Sequence, residues 1–200
     1  MMTTEDRPSA KFDAARRAMI DSQLRPSGVN EPWVLGAMAR VPREEFVPAE
    51  FRSAAYIDRA IPLGDGRYLA APLVQGKMLS EAAPVEGDKA LLVGDGKGYL
   101  AQLLRPMVGS LDAVAPSEAK SATGEGGYSL VIVDGAIEEL PETLAGRLAD
   151  DGRIVTGLVL RGVTRLATGR KSGGHVALLP LAEIGIPVLS EFAAAKRWSF

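Results

Sequence analysis

The sequence predicts an α/β protein built on a mostly parallel sheet, preceded by helices and closed by an antiparallel hairpin. Three observations carry that prediction. Strand candidates at 90–93, 111–115, 130–133 and 153–157, of which 90–93 and 130–133 are unbroken apolar runs, alternate with helical patterns at 99–104 and 143–149, the rhythm of βαβ units covered on both faces. The run Ala90-Leu91-Leu92-Val93 leads directly into Gly94, Gly96 and Gly98 and then a helical pattern from Tyr99. Past residue 157 the pattern changes, and two apolar segments, 163–168 and 175–180, flank the turn-like stretch 169–174.

Taken in order, residues 1–10 read as a loose polar tail. A helix is expected from Lys11, with Phe12, Ala15 and Met19 on one face and Ile20 and Leu24 beside them, ended by Pro26 and Gly28. Asn30 is placed to cap a second helix whose first turn holds Glu31 and Pro32 and whose apolar face is Val34, Leu35 and Met38. Pro42 and Pro48 bracket a short structured segment, REEFV. Residues 56–63 run into the turn Gly64-Asp65-Gly66, and 73–83 reads as a helix with Leu73, Val74 and Met78 inside. The whole, 1–200, is expected to be one domain, with 11–83 as its helical part and 88–200 as its core.

Composition narrows the function. At 200 residues and 46% hydrophobic content the chain can bury a substantial core. A net charge of −2 gives no basic footprint, so nucleic acid is not expected as a partner. With no cysteine and His175 as the single histidine, disulfides, thiolate chemistry and histidine metal clusters are excluded, and no metal is expected. The charged N-terminus does not read as a secretory signal, and the apolar stretch 176–190, broken by Pro180, Glu183 and Pro187, does not span a bilayer. A cytoplasmic protein without membrane contact is the expectation.

A buried strand, a glycine turn and a helix start make a site of nucleotide size, because glycine lets a ligand approach the backbone. A dinucleotide fingerprint would place its third glycine at 99, which is Tyr99. The pattern here is G-x-G-x-G, the spacing of methyltransferases that bind S-adenosylmethionine. Asp95 within it either faces a ligand amine or bonds its own turn, and the second reading is favoured. Asp134, closing the run VIVD, is expected at a carboxyl edge of the sheet, with helix capping toward Glu138 as the rival reading. Glu138 and Glu139 read as solvated and His175 as structural. Arg161, Arg165, Arg170 and Lys171 read as a charged guard on a strand edge, and Trp33 and Trp198 as packing residues.

The order of segments ARRAMIDSQL, VLGAMARVPREEFVP, AAYIDRAIPLGDGRY, LLVGDGKGY, YSLVIVDGA and RLADDGRIV resembles the protein-L-isoaspartate O-methyltransferase family over most of the chain. The resemblance implies a Rossmann-like fold and methyl transfer from S-adenosylmethionine to the carboxylate of isoaspartyl residues in proteins or peptides. It places the family's active-site loop at Gly66-Arg67-Tyr68-Leu69-Ala70-Ala71-Pro72, and a cofactor site at Gly94, Asp95, Gly96, Gly98 and Asp134. It also exposes departures. Ala70 stands where the family carries a hydroxyl, and Tyr68 where it carries threonine. Leu92 replaces an acid before the glycines. Ala115 replaces the acid that grips the ribose, and Glu118 falls three residues late. Residues 116–127 are too few for the β-α-β crossover that the family fits there. Two expectations follow: a carboxyl methyltransferase with impaired or lost activity, or a catalytically silent methyltransferase fold serving as a binding module. A third, a methyltransferase with another acceptor, rests on the altered loop alone.

Overall fold

A computed structural model describes residues 6–121 and 124–194. Contacts group the chain into two compact units, Met1–Ser80 and Glu81–Phe200. Among the described residues no helix is long and apolar enough to cross a membrane.

In the first unit α1, Asp6–Met19, begins earlier than the sequence suggested: residues 6–10 are helical, not a tail. Residues 1–5 of that expected tail lie outside the described set. The helix widens into a π turn, Ile20–Leu24, where the Arg25 N–H donates to the Ile20 carbonyl at 3.1 Å. The extra residue in that turn keeps Met19, Ile20 and Leu24 all buried. In α2, Pro32–Arg40, the expected cap is corrected: Glu31, not Asn30, is the N-cap. Asn30 donates its backbone N–H to the Glu31 carboxylate at 3.1 Å, and Ser80 Oγ donates to the same oxygen at 2.8 Å. Val34, Leu35 and Met38 are buried as expected, whereas Trp33 stays 38% exposed and is at most partly a packing residue; Trp198 lies outside the described residues. Two 3₁₀ turns, Arg43–Phe46 and Ala49–Ala54, precede a hairpin of β1, Ile61–Gly64, and β2, Arg67–Leu69. Its turn, Gly64-Asp65-Gly66, has φ of 99°, 51° and 73°, which explains the two glycines. Helix α3, Pro72–Ala82, follows.

The second unit is a six-stranded sheet in the order β4-β3-β5-β6-β7-β8. Its elements are β3 (Lys89–Val93), α4 (Tyr99–Leu104), β4 (Ser110–Val114), α5 (Pro116–Ala119), β5 (Tyr128–Ile137), α6 (Glu142–Arg147), β6 (Leu148–Leu160), β7 (Val163–Ser172) and β8 (His175–Glu183). The first four strands in that order pair in parallel and the last three antiparallel. This is the expected Rossmann-like α/β methyltransferase fold. The terminal hairpin is tighter than the sequence suggested. Residues 169–172 belong to β7, and only Gly173 and Gly174 turn the chain, with φ of 57° and 82°. Positive φ at both central residues is the type I′ turn whose twist matches paired strands.

The basic residues of this hairpin do not guard an edge. Arg165 pairs with Glu183, Arg170 donates to the Asp151 carbonyl at 2.8 Å, and Lys171 donates to the Leu148 carbonyl at 2.8 Å. Arg161 occupies the β6–β7 turn at φ 53°. The edge strand is β8, where Leu179 is 62% exposed and Pro180, with no N–H to offer, sits mid-strand. His175 is exposed at the turn.

The short 116–127 segment holds one helical turn, α5, and no strand among its described residues. The segment 187–192 packs against the same face of the sheet as α5. The Ala136 N–H donates to the Pro187 carbonyl at 2.8 Å, and the Leu189 N–H donates back to the Ala136 carbonyl at 2.9 Å. This segment buries Leu189 and Phe192 in one apolar cluster with Leu91, Val93, Ala119, Val131, Val133 and Leu144.

At the amino ends of the strands one carboxylate, directly ahead of β3, binds β5 and β6. Asp88, 3% exposed, accepts from Arg153 Nη2 of β6 at 2.6 Å and Nη1 at 3.0 Å, and from Ser129 Oγ of β5 at 2.7 Å. Burial pushes its pKa up, but the bonds from Arg153, Ser129 and the Val85 N–H outweigh that and hold it below the ordinary Asp value. Breaking such a pair leaves a buried charge, so Asp88→Ala should lower the unfolding free energy by about 3–5 kcal/mol, read by denaturant titration. Because the folded pKa lies below the unfolded one, the contribution is present above about pH 4 and lost as pH falls through the folded value. The wild-type curve should therefore drop more steeply in acid than that of Asp88→Ala.

Candidate cofactor-binding site

The crevice at the carboxyl ends of β3 and β5 follows from strand order. The chain leaves β3 for β4 on one side and returns to β5 on the other, so the two connections diverge there, where α/β sheets bind ligands. Val93 of β3 lies level with Val114 of β4 and Val133 of β5. The next residues on the two central strands are Gly94 and Asp134. A Cβ on Gly94 would stand 3.1 Å from that of Asp134, so the fold brings these two expected site residues together.

The glycine turn is held by its own atoms and by β4. The Gly94 N–H donates to the Val114 carbonyl at 2.9 Å. Asp95 Oδ1 accepts the Lys97 N–H at 2.8 Å, and the Gly98 N–H donates to the Asp95 carbonyl at 3.0 Å. The Asp95 carboxylate thus bonds its own turn, the favoured reading. None of Gly94, Gly96 and Gly98 has a left-handed φ. Close approach demands them instead: a Cβ on Gly96 would lie 2.8 Å from the Ala113 Cβ, and one on Gly98 would lie 3.2 Å from the Asp95 carbonyl oxygen. Arg105 Nη2 donates to the Gly96 carbonyl at 3.0 Å and braces the turn from α4's far end.

Asp134 does not close its strand as the sequence suggested. β5 runs on to Ile137, and its register with β6 slips between Ile132 and Ala136. That irregularity, beginning where β3 has ended, is the local departure that bulges produce beside sites. Helix capping is ruled out because Glu138 and Glu139 lie in a bend and α6 begins only at Glu142. Both glutamates are exposed as expected, though Glu138 also accepts the Ala194 N–H at 2.8 Å. Gly135 is hemmed in: a Cβ there would fall 2.5 Å from Leu189 Cγ.

The departures read from the sequence keep distinct places. Ala115 is the N-cap of α5, its carbonyl accepting the Glu118 N–H at 2.9 Å, and it brings no carboxylate to the crevice. Glu118 is exposed on that turn. Leu92 is wholly buried in β3, an apolar core position rather than a ligand contact.

In the first unit the loop Gly66–Pro72 divides by exposure. Tyr68 is 49% exposed opposite Pro62, and Arg67 is half-buried. Leu69, Ala70 and Ala71 are buried, so the methyl of Ala70 fills a closed place. A residue not singled out from the sequence is Arg43, fully buried. Its Nε donates to the Ala55 carbonyl at 2.7 Å, Nη1 to Gln75 Oε1 and Nη2 to the Ala70 carbonyl. Beside it Tyr56 donates to Glu44, and Arg16 reaches both, Tyr56 at 2.8 Å and Glu44 at 3.1 Å. Burial, then the bond to Glu44, raises the Tyr56 hydroxyl pKa well above its ordinary value. Nothing in its immediate sequence marks Arg43, which stands beside Glu44 and Glu45 in the charged stretch between Pro42 and Pro48.

A parallel sheet with a glycine turn at its switch point, an acid beside the first glycine and an antiparallel hairpin at its end define the Rossmann-like class that binds S-adenosylmethionine. Within that class the model of the protein-L-isoaspartate(D-aspartate) O-methyltransferase family matches residues 14–121, and the chain belongs to that family. It is 33% identical over 202 residues to a protein-L-isoaspartate O-methyltransferase of Methylorubrum populi, covering 84% of this chain and 95% of the relative. With that of Koribacter versatilis it shares 30% identity over 201 residues, 88% and 90% of the two chains. A solved protein-L-isoaspartate O-methyltransferase superposes with TM-score 0.72 at 17% identity over 89% of this chain and 67% of its own. A Plasmodium falciparum beta-aspartate methyltransferase, solved in complex with S-adenosyl-L-homocysteine, gives 0.69 at 17% identity over 90% and 98%.

The Gly135–Leu189 contact makes a prediction. Gly135→Ala should cost about 1–3 kcal/mol by overpacking. Leu189→Ala opens that space, so the double variant should lose less than the sum of the two single variants, measured by denaturant midpoints.

Proposed function

We propose that this protein transfers a methyl group from S-adenosylmethionine to the side-chain carboxylate of isoaspartyl residues in proteins or peptides. The observation that carries the reading is the meeting of Gly94 and Asp134 at the switch point of the sheet. The residues present suit the amino-acid end of the cofactor: a glycine turn that admits a ligand against the backbone, and the half-buried carboxylate of Asp134 to face an ammonium. They offer less to its ribose end, where Ala115 stands. Gly94, Gly96, Gly98 and Asp134 are assigned to the cofactor, with Asp95 shaping the turn. The loop Arg67, Tyr68, Leu69 and Ala70 is assigned to the acceptor.

S-adenosylmethionine supplies an electrophilic methyl on a sulfonium. The acceptor carboxylate is already an anion at neutral pH, so no residue of this chain need remove a proton from it. What the protein must do is hold the carboxylate in line and keep water away, which is where most of the acceleration of such a transfer arises. The missing hydroxyl at Ala70 slows such an enzyme without removing its chemistry. A second reading, a silent methyltransferase fold that binds a partner, draws on Ala70, Leu92, Ala115 and the short 116–127 segment together.

Calorimetric titration with S-adenosylmethionine separates the two. Saturable binding that Gly96→Val abolishes, followed by methyl transfer to an isoaspartyl peptide, is expected; a folded protein with no heat at millimolar cofactor favours the silent module. Ala115→Glu should tighten binding about ten- to a hundredfold by adding a charge-assisted acceptor for the ribose hydroxyls. Glutamate is the better probe because aspartate at this N-cap would also stabilise α5.

A further inference from the structure

We propose that Arg43 is a positioning residue that fixes the backbone of the acceptor loop at Ala70, whatever side chain position 70 carries. The inference rests on the assignment of the loop Gly66–Pro72 to the acceptor. Arg43 lies in the 3₁₀ turn Arg43–Phe46 and has no measurable exposure. Removing a guanidinium from water is costly, and such a group stays buried only where its N–H groups find acceptors in good geometry. Three separate stretches supply them: the Ala55 carbonyl, Gln75 Oε1 on α3, and the Ala70 carbonyl at the junction of β2 and α3. The planar fork sets the directions of these bonds, so the three stretches are held at fixed angles as well as fixed distances.

Two further observations support a role directed at the loop. Gln75 turns its amide oxygen to Arg43, and its Nε2 is buried without a hydrogen-bond partner among the described residues. An unmet donor is a cost that the orientation imposed by Arg43 explains. The base of the arginine is anchored too: its backbone N–H donates to the Tyr56 hydroxyl at 3.2 Å, and Tyr56 is itself tied to Glu44 and Arg16. The chain from Arg16 to Ala70 is thus continuous, and it ends on a backbone oxygen. A lysine at 43 would keep the charge but could not meet three acceptors in one plane.

The test is hydrogen exchange on full-length Arg43→Lys, with methyl transfer as a second readout. Exchange of the amides of residues 69–75 should quicken about tenfold or more while the amides of α2 stay within about twofold of wild type. KM for an isoaspartyl peptide should rise about tenfold while the calorimetric Kd for S-adenosylmethionine stays within about twofold. Unchanged exchange at 69–75 in the folded variant, or a uniform rise over the first unit, overturns the proposal. Should Arg43→Lys fail to fold, Gln75→Met removes one acceptor, and the same local pattern at smaller amplitude is expected; its absence is equally decisive. If the wild type transfers no methyl to the peptide, the carboxyl methyltransferase reading fails, and the exchange data still decide the role of Arg43.

Discussion

The Asp88–Arg153 pair is the constraint on which the second unit depends. It sits ahead of β3, reaches across Ser129 of β5 and ends on β6, so it sets the relative register of three parallel strands from their amino ends. Parallel strands receive no help from tight turns, and a one-residue slip would turn every buried valine and leucine to the wrong face. With the register set, Val93 and Val133 finish level and Gly94 meets Asp134. The crevice geometry at one end of the sheet is thus a consequence of an ion pair at the other.

Much of this was legible in the sequence. Continuous apolar runs located β3 and β5, largely apolar segments located β4 and β6, and the helix predicted at 99–104 is α4 to the residue. The misses share a cause, which is that tertiary partners extend or redirect elements that local chemistry seems to end. β5 continues through Asp134 and Gly135 because the returning 187–189 segment pairs with Ala136. β7 absorbs Gly169 and three polar residues because β6 and β8 flank it. Glu31 rather than Asn30 is the N-cap of α2, and its carboxylate accepts from Ser80, far along the chain. Of the candidate site, the glycines and Asp134 were readable from residue type and position. Arg43 was not, because a buried arginine announces itself only through carbonyls brought from distant residues.

The short 116–127 segment shares its cover of the sheet with residues from far along the chain. Phe192 and Leu189 enter the cluster that Ala119 and Leu144 also line, so three separate segments share one face of the sheet. The arrangement ties the glycine content of β5 to the end of the chain. Gly135 has no room for a side chain because Leu189 is there, and Gly157 is likewise closed by Ala136 and Ile186. These are packing requirements, distinct from the conformational ones at Gly173 and Gly174.

Apart from the short 116–127 segment, the departures from the family pattern fall on side chains, and at Ala70 and Ala115 the backbone bonds are made. Ala70 lacks a hydroxyl, yet its carbonyl is gripped by a buried guanidinium. Ala115 lacks a carboxylate, yet its carbonyl starts α5 in an ordinary way. The glycine turn closes through its own amides and the side chain of Asp95. Backbone geometry of this kind is the expensive part of a site, since it depends on register, close approach and a satisfied buried charge across many residues. A hydroxyl or carboxylate is, by contrast, a single substitution. At Ala70 and Ala115, then, what differs is a side chain, while the backbone bonds at both positions are made.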